Sequence, residues 1–266
     1  MIQQILFPCI SFTSVLPVPI VLLNGWGLDS RVWQSLVQDL QILADVVVIE
    51  SDYQEKNVNQ WCEQLGQQLP EKSILCGWSL GGMLATTFAA QYSHRVSALV
   101  TLSTNLQFVA DAQWPVAVPE QTFASFHQAF KTDAKKTLKR FMGLVVQGDE
   151  LIREQRRYIQ AMTLDGEELD KLCIGLDWLF SINNQRNIEH IDCPTLHLFG
   201  EQDRLVPAEV ERKIALLNSQ HQVTMIKGAG HLLHMPSFRI TSVIQNFLQE
   251  VTDECRHVAL TKKEYC

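Results

Sequence analysis

Short, uninterrupted apolar runs alternate with helix-period stretches along most of this chain. The runs lie at residues 19–23, 45–49, 73–76, 98–102, 195–199 and 222–226. Their lack of in-out alternation is what strands need when both faces of a sheet are covered. Segments with helical spacing lie between most of them, for example at 59–69, 82–91 and 208–217. Strand and helix in turn predict an α/β fold, a mostly parallel sheet with helices on both faces and ligands at the carboxyl ends of the strands. An opening strand at about residues 2–10, joined to the next by a Ser/Thr/Pro turn, is expected ahead of them.

The alternation stops after Ser103 and resumes near Cys193. Helical patterns fill the interval at about 120–130, 134–146, 151–162 and 166–180, behind an irregular stretch marked by Trp114-Pro115 and Val118-Pro119. The expected organisation is therefore a core of residues 1–103 and 193–251 interrupted by an insertion at 104–192. An excursion from the carboxyl edge of a sheet either covers the ligand crevice as a lid or packs beside it as a side domain. After an amphipathic helix at about 238–248, residues 252–266 are polar and of mixed charge, and a frayed, flexible tail is expected there.

Several function classes find no support. The net charge of −7 argues against nucleic acid as the main partner, since an anionic protein gains nothing by releasing phosphate counterions. There is no Walker A loop, no G-x-G-x-x-G after a strand and no H-E-x-x-H, so no cofactor and no metal is expected. The seven cysteines are odd in number and form no C-x-x-C pair or zinc-ligand spacing, which reads as reduced thiols of a cytoplasmic protein. Residues 1–28 carry no charge, yet Pro8, Pro17 and Pro19 break any helix there, so no stable membrane association is expected.

The strongest local signal is Gly77-Trp78-Ser79-Leu80-Gly81, where an apolar run gives way to a helix. A serine on such a turn adopts strained backbone angles, and flanking glycines are needed where a Cβ would strike the neighbouring strand or helix. A serine hydroxyl is a poor nucleophile at neutral pH, so it needs a base, and the base needs a partner to fix its tautomer. His231 follows the last strand through Lys227-Gly228-Ala229-Gly230 and is the expected base, with His234 as its rival. The other six histidines lack such a setting. The acid is sought after the run at 195–199, where Asp203 is chosen over Glu201. The order Ser79, Asp203, His231 is the one expected when all three stand on successive strand ends. Oxyanion donors are expected from the Leu80 amide at the helix start and the Trp26 amide in the loop Asn24-Gly25-Trp26-Gly27.

With these residues assembled, the sequence resembles the α/β-hydrolases, and more narrowly the pimeloyl-acyl-carrier-protein methyl ester carboxylesterases of biotin synthesis. The likeness covers about 250 residues and is carried by Asn24 to Leu28 with Val32-Trp33, Cys76 to Gly82, Trp114-Pro115, Arg140 to Leu144 with Gly148, Gly200 to Pro207 and Gly228 to Pro236. The resemblance implies an α/β-hydrolase fold with a helical lid inserted after the sixth strand. It implies Ser79, Asp203 and His231 as the triad, Trp26 and Leu80 at the oxyanion and acyl site, and Phe141, Met142, Gly143, Leu144 and Val145 along the acyl channel. The sequence departs from the family pattern at Asn24, where a His usually precedes the first Gly, and at Val145, where a polar residue is expected.

Residues 131–157 hold eight basic and four acidic side chains, against a chain that is acidic overall. A basic surface suits a strongly acidic acyl-carrier protein, and Lys136, Arg140, Arg153 and Arg157 are its expected seat. The expected function is cytoplasmic hydrolysis of a carrier-bound methyl ester by a monomer. Hydrolysis of small free esters, lactones or C–C bonds on the same fold is the alternative, and a non-catalytic binding module a third.

Overall fold

The computed structural model describes residues 2–11, 15–50, 57–166, 168–234 and 238–264. In chain order the elements are β1 (Gln4–Phe7), β2 (Ile20–Leu23), α1 (Gln34–Leu40), β3 (Val46–Ile49), α2 (Val58–Gln68), β4 (Ser73–Trp78), α3 (Leu80–Gln91) and β5 (Val96–Leu102). Then come α4 (Glu120–Thr132), α5 (Ala134–Val145), α6 (Ile152–Gln160), α7 (Glu168–Ser181), β6 (Thr195–Gly200), α8 (Glu209–Leu217), β7 (Gln222–Ile226) and α9 (Ile240–Glu264).

One sheet holds the strands in the order β1-β3-β2-β4-β5-β6-β7, parallel throughout except for β1, which runs antiparallel to β3. The apolar runs follow from position in the sheet. Every residue of β2, β3, β4 and β6 is buried, whereas edge strand β1 alternates exposed with half-buried. A central strand covered by helices on both faces has no side on which to tolerate a polar residue.

From β2 the chain moves outward to β3, then crosses back to β4 on the other side of β2. The loops leaving β2 and β4 therefore diverge, and a crevice opens between them at the carboxyl edge. Leu23 pairs with Gly77, so the Asn24–Trp26 turn lies level with Trp78 and Ser79.

The helical insertion, α4 to α7, leaves after β5, which is the fifth described strand and not the sixth. The expected count supposed one strand more ahead of it. The insertion is bonded to the loop after β2: Asp29 N–H donates to the Met162 carbonyl at 3.0 Å and Leu164 N–H to the Gly27 carbonyl at 3.1 Å. The frayed tail expected from residue 252 is also corrected. Helix α9 continues to Glu264, because no glycine or proline between 240 and 264 interrupts it. No helix among the described residues is long and apolar enough to cross a membrane.

Candidate active site

Ser79 sits between β4 and α3 with φ 54° and ψ −118°, in the left-handed half of backbone space. The strain persists because the turn is fixed on both sides: Ser79 N–H donates to the Leu102 carbonyl at 2.9 Å, and its carbonyl accepts from Met83 N–H at 3.1 Å. Close approach explains the flanking glycines. A Cβ on Gly77 would strike the Gly81 carbonyl, and one on Gly81 would strike the Leu23 carbonyl. The Ser79 side chain makes no capping bond to α3. It is free for another partner.

That partner is His231, whose Nε2 lies 2.9 Å from Ser79 Oγ. On the other side of the ring, Nδ1 lies 2.8 Å from Asp203 Oδ2. The second Asp203 oxygen accepts from the Leu205 and Val206 amides at 2.8 and 3.0 Å, so the carboxylate is held at both ends. The His231 and Asp203 side chains are buried, and Ser79 is partly open. Proton transfer from Ser79 to Nε2, with Asp203 holding the Nδ1–H tautomer, is what this line of atoms can do.

The rivals stand elsewhere. Glu201 is exposed and accepts from the Gly228 amide at 3.0 Å, bracing the end of β6 against the loop after β7. His234 is buried edge-on against Trp33 and Trp78, with ring centroids 4.3 and 5.0 Å away. Burial pushes its pKa down to about 3, and burial does the same to His197, inside the sheet against Thr101. Both rings are neutral in the folded protein and would take up a proton near pH 6.5 once unfolded. Folded stability is therefore complete above about pH 6.5 and is lost as pH falls towards 3. The melting temperature should drop steadily from pH 7 to pH 4, and His234→Phe should flatten that slope; an unchanged slope would contradict the burial argument.

The loop after β2 packs between the sheet and the insertion. The Trp26 indole donates to the Leu172 carbonyl of α7 at 2.9 Å and stands edge-on to Phe126, Phe130 and Phe141, with centroids 5.9, 5.3 and 5.0 Å away. Gly27, at φ +86°, leaves room for Leu138 and Met142 of α5. Leu80 opens α3 beside this loop, since Gly81 lies against the Leu23 and Asn24 carbonyls. Asn24 is buried and accepts from Trp33 Nε1, which anchors the start of the loop.

Of the five residues expected along an acyl channel, Phe141, Met142 and Val145 lie on the buried face of α5 with Leu138. Gly143 and Leu144 do not. Leu144 is 39% exposed and Gly143 faces open space, because five consecutive residues of a helix cannot share one face. The four cations Lys136, Arg140, Arg153 and Arg157 are all exposed, as two i,i+4 pairs on the adjacent helices α5 and α6. None of them is in an ion pair among the described residues.

Sequence reasoning passed over Asp149, in the turn between α5 and α6. It is buried, and it accepts from Gly230 N–H, Leu151 N–H and Gln155 Nε2 at 2.7 to 2.8 Å. Burial raises its pKa above the ordinary carboxylate value, against the three N–H bonds that hold it down. Gly148 followed by two acids reads only as a helix stop, and nothing local announces a contact with residue 230. No group of acidic, histidine and cysteine side chains among the described residues could hold a metal ion.

A family model described as alpha/beta hydrolase fold matches residues 18–238. The chain is 32% identical over 253 residues to the "Biotin biosynthesis bifunctional protein BioHC" of Teredinibacter turnerae, covering 87% of this chain and 44% of that protein. It thus spans less than half the length of that relative. It is 31% identical over 224 residues to the "Pimeloyl-[acyl-carrier protein] methyl ester esterase" of Yersinia enterocolitica, covering 80% of this chain and 85% of the other. Among solved structures, an esterase from Exiguobacterium antarcticum superposes with a TM-score of 0.77 over 93% of this chain and 95% of its own. Its identity of 15% supports a shared fold alone.

Proposed function

The chain belongs to the α/β-hydrolase family, and on that premise we propose that it is a serine carboxylesterase cleaving the methyl ester of pimeloyl-acyl-carrier protein. The observation that carries the reading is the unbroken line from Ser79 Oγ through His231 to Asp203, with contacts of 2.9 and 2.8 Å. The substrate is suggested by what the relatives are named for.

In this reading Ser79 Oγ attacks the ester carbonyl while His231 Nε2 takes its proton. The Trp26 and Leu80 amides donate to the oxyanion, each worth about 3 kcal/mol when preorganised. The tetrahedral intermediate collapses, His231 returns the proton to the departing methoxide, and methanol leaves. Water then attacks the acyl-enzyme with His231 again as base, freeing Ser79 and a carboxylic acid still attached to its carrier. The apolar cluster of Trp26, Phe126, Phe130, Phe141 and Met142 suits the methylene chain between the two ends of such a substrate.

Lys136, Arg140, Arg153 and Arg157 would seat the acidic carrier, and the enzyme would act as a cytoplasmic monomer without metal or cofactor. The test separates carrier from ester. Reversing Arg140, Arg153 and Arg157 to Glu should lower kcat/KM for the carrier-bound ester about tenfold or more at low salt, with the free methyl ester changed less than twofold. The wild-type value for the carrier-bound ester should also fall as ionic strength rises. Equal behaviour of the two substrates in both measurements would remove the carrier from the proposal and leave an esterase for small free substrates.

A further inference from the structure

Two side chains of the helical insertion grip the backbone on either side of His231. Asp149 Oδ2 accepts from the Gly230 amide at 2.7 Å, and its Oδ1 accepts from the Leu151 amide at 2.7 Å. Gln155 of α6 donates through Nε2 both to Asp149 Oδ2, at 2.8 Å, and to the Leu232 carbonyl, at 3.0 Å. The two residues are 4% and 0% exposed. The carbonyl of His231 itself accepts from Trp78 Nε1 at 2.9 Å. Peptide groups before, at and after the imidazole therefore each have a fixed partner, and two of the three are supplied by the insertion.

The same turn also meets the loop of the acid. Gly148, at φ +89°, lies so close to Gln202 that a Cβ would strike its carbonyl, and Glu150 N–H donates to the Gly228 carbonyl at 3.2 Å. These contacts matter because the segment leading to His231 is Gly228-Ala229-Gly230, with Gly228 at φ +72°. Such a segment has wide conformational freedom of its own and few side-chain atoms with which to pack. An imidazole on it must nevertheless meet Ser79 and Asp203 at once. A displacement of about 1 Å at a reacting group can cost about a hundredfold in rate.

We infer that Asp149 and Gln155 are positioning residues, which hold the His231 loop so that the ring reaches Ser79 and Asp203 together. The helical insertion is then a working part of the catalytic apparatus. The inference rests on the proposed role of His231 as base. Asp149 and Gln155 touch no reacting atom and act only through the backbone of residues 230 and 232.

Asp149→Asn puts an amide where a carboxylate meets three N–H donors, and Gln155→Leu removes the donors to Asp149 and Leu232 at nearly constant volume. Each should lower kcat for a free methyl ester about tenfold to a hundredfold with KM within twofold of wild type. The decisive readout is a cycle with His231→Ala. In that background either substitution should change the residual rate less than twofold, since groups that act through one residue are not additive. Melting temperatures are measured alongside, and if Asp149→Asn does not fold, Gln155→Leu carries the cycle alone. A kcat within twofold of wild type in the folded variants, or the same loss with and without His231, overturns the inference while leaving the triad reading intact. A His231→Ala protein that retains wild-type activity overturns the triad reading and this inference with it.

Discussion

Ser79→Ala should lower kcat for every ester by about a million-fold, to a residual rate set by oxyanion donors and binding alone. Among the described residues, the Ser79 hydroxyl is the group that meets His231 Nε2, 2.9 Å away. Alanine keeps the small Cβ that the strained turn accommodates at φ 54°, and the side chain makes no capping bond to be lost, so folding should be little changed. KM, the melting temperature and kcat measured together distinguish a missing nucleophile from a damaged fold. Ester hydrolysis near the wild-type rate in a folded Ser79→Ala protein would remove Ser79 from the mechanism. Labelling of the wild-type protein by a fluorophosphonate, absent in the variant, checks the same assignment covalently.

The second large effect should come from Asp203→Asn, with kcat falling about ten-thousandfold and KM nearly constant. The substitution preserves shape. One oxygen still accepts from the Leu205 and Val206 amides, and this orients the new NH2 towards His231 Nδ1. An N–H facing Nδ1 selects the tautomer whose proton sits on Nε2, towards Ser79, so the ring no longer accepts the serine proton. The lost charge also leaves the imidazolium without its counter-ion. A loss smaller than about tenfold would mean that Asp203 only braces its own turn. Glu201→Gln is the control: its carboxylate binds the Gly228 amide and not the ring, so the loss there should be no more than severalfold.

How much of this was visible along the chain depended on how local each constraint is. The parallel sheet was legible because a strand buried on both faces must be apolar throughout, as Val46-Val47-Val48-Ile49 is. The turn at Ser79 was legible because Gly77 answers a clash with Gly81, four residues on, although Gly81 itself answers one with the distant Leu23 carbonyl. The end of α9 was not legible, because a polar stretch can fray or stay helical and no glycine or proline marks a stop between 240 and 264. Five consecutive residues cannot all line an acyl channel, since the helix turns Gly143 and Leu144 off the face shared by Phe141, Met142 and Val145.

Choices between near neighbours were another matter. Glu201 and Asp203 are equally good turn residues in sequence, as are His231 and His234 near a helix start. The direction in which a strand end releases its chain separated them, sending His234 between two tryptophans and His231 towards Ser79. Asp149 was invisible for the same reason, since its partner Gly230 lies 81 residues away.

Periodicity and steric exclusion act over a few residues, so the sequence by itself determined the layered sheet, the serine turn, and the class of side chain that must follow it. Only the tertiary structure brought the His231 ring against that serine and the Asp203 carboxylate against the ring, and it set the helical insertion against the loop of the base. Those are distances between segments far apart in the chain, and they are set by how whole elements pack rather than by any local preference.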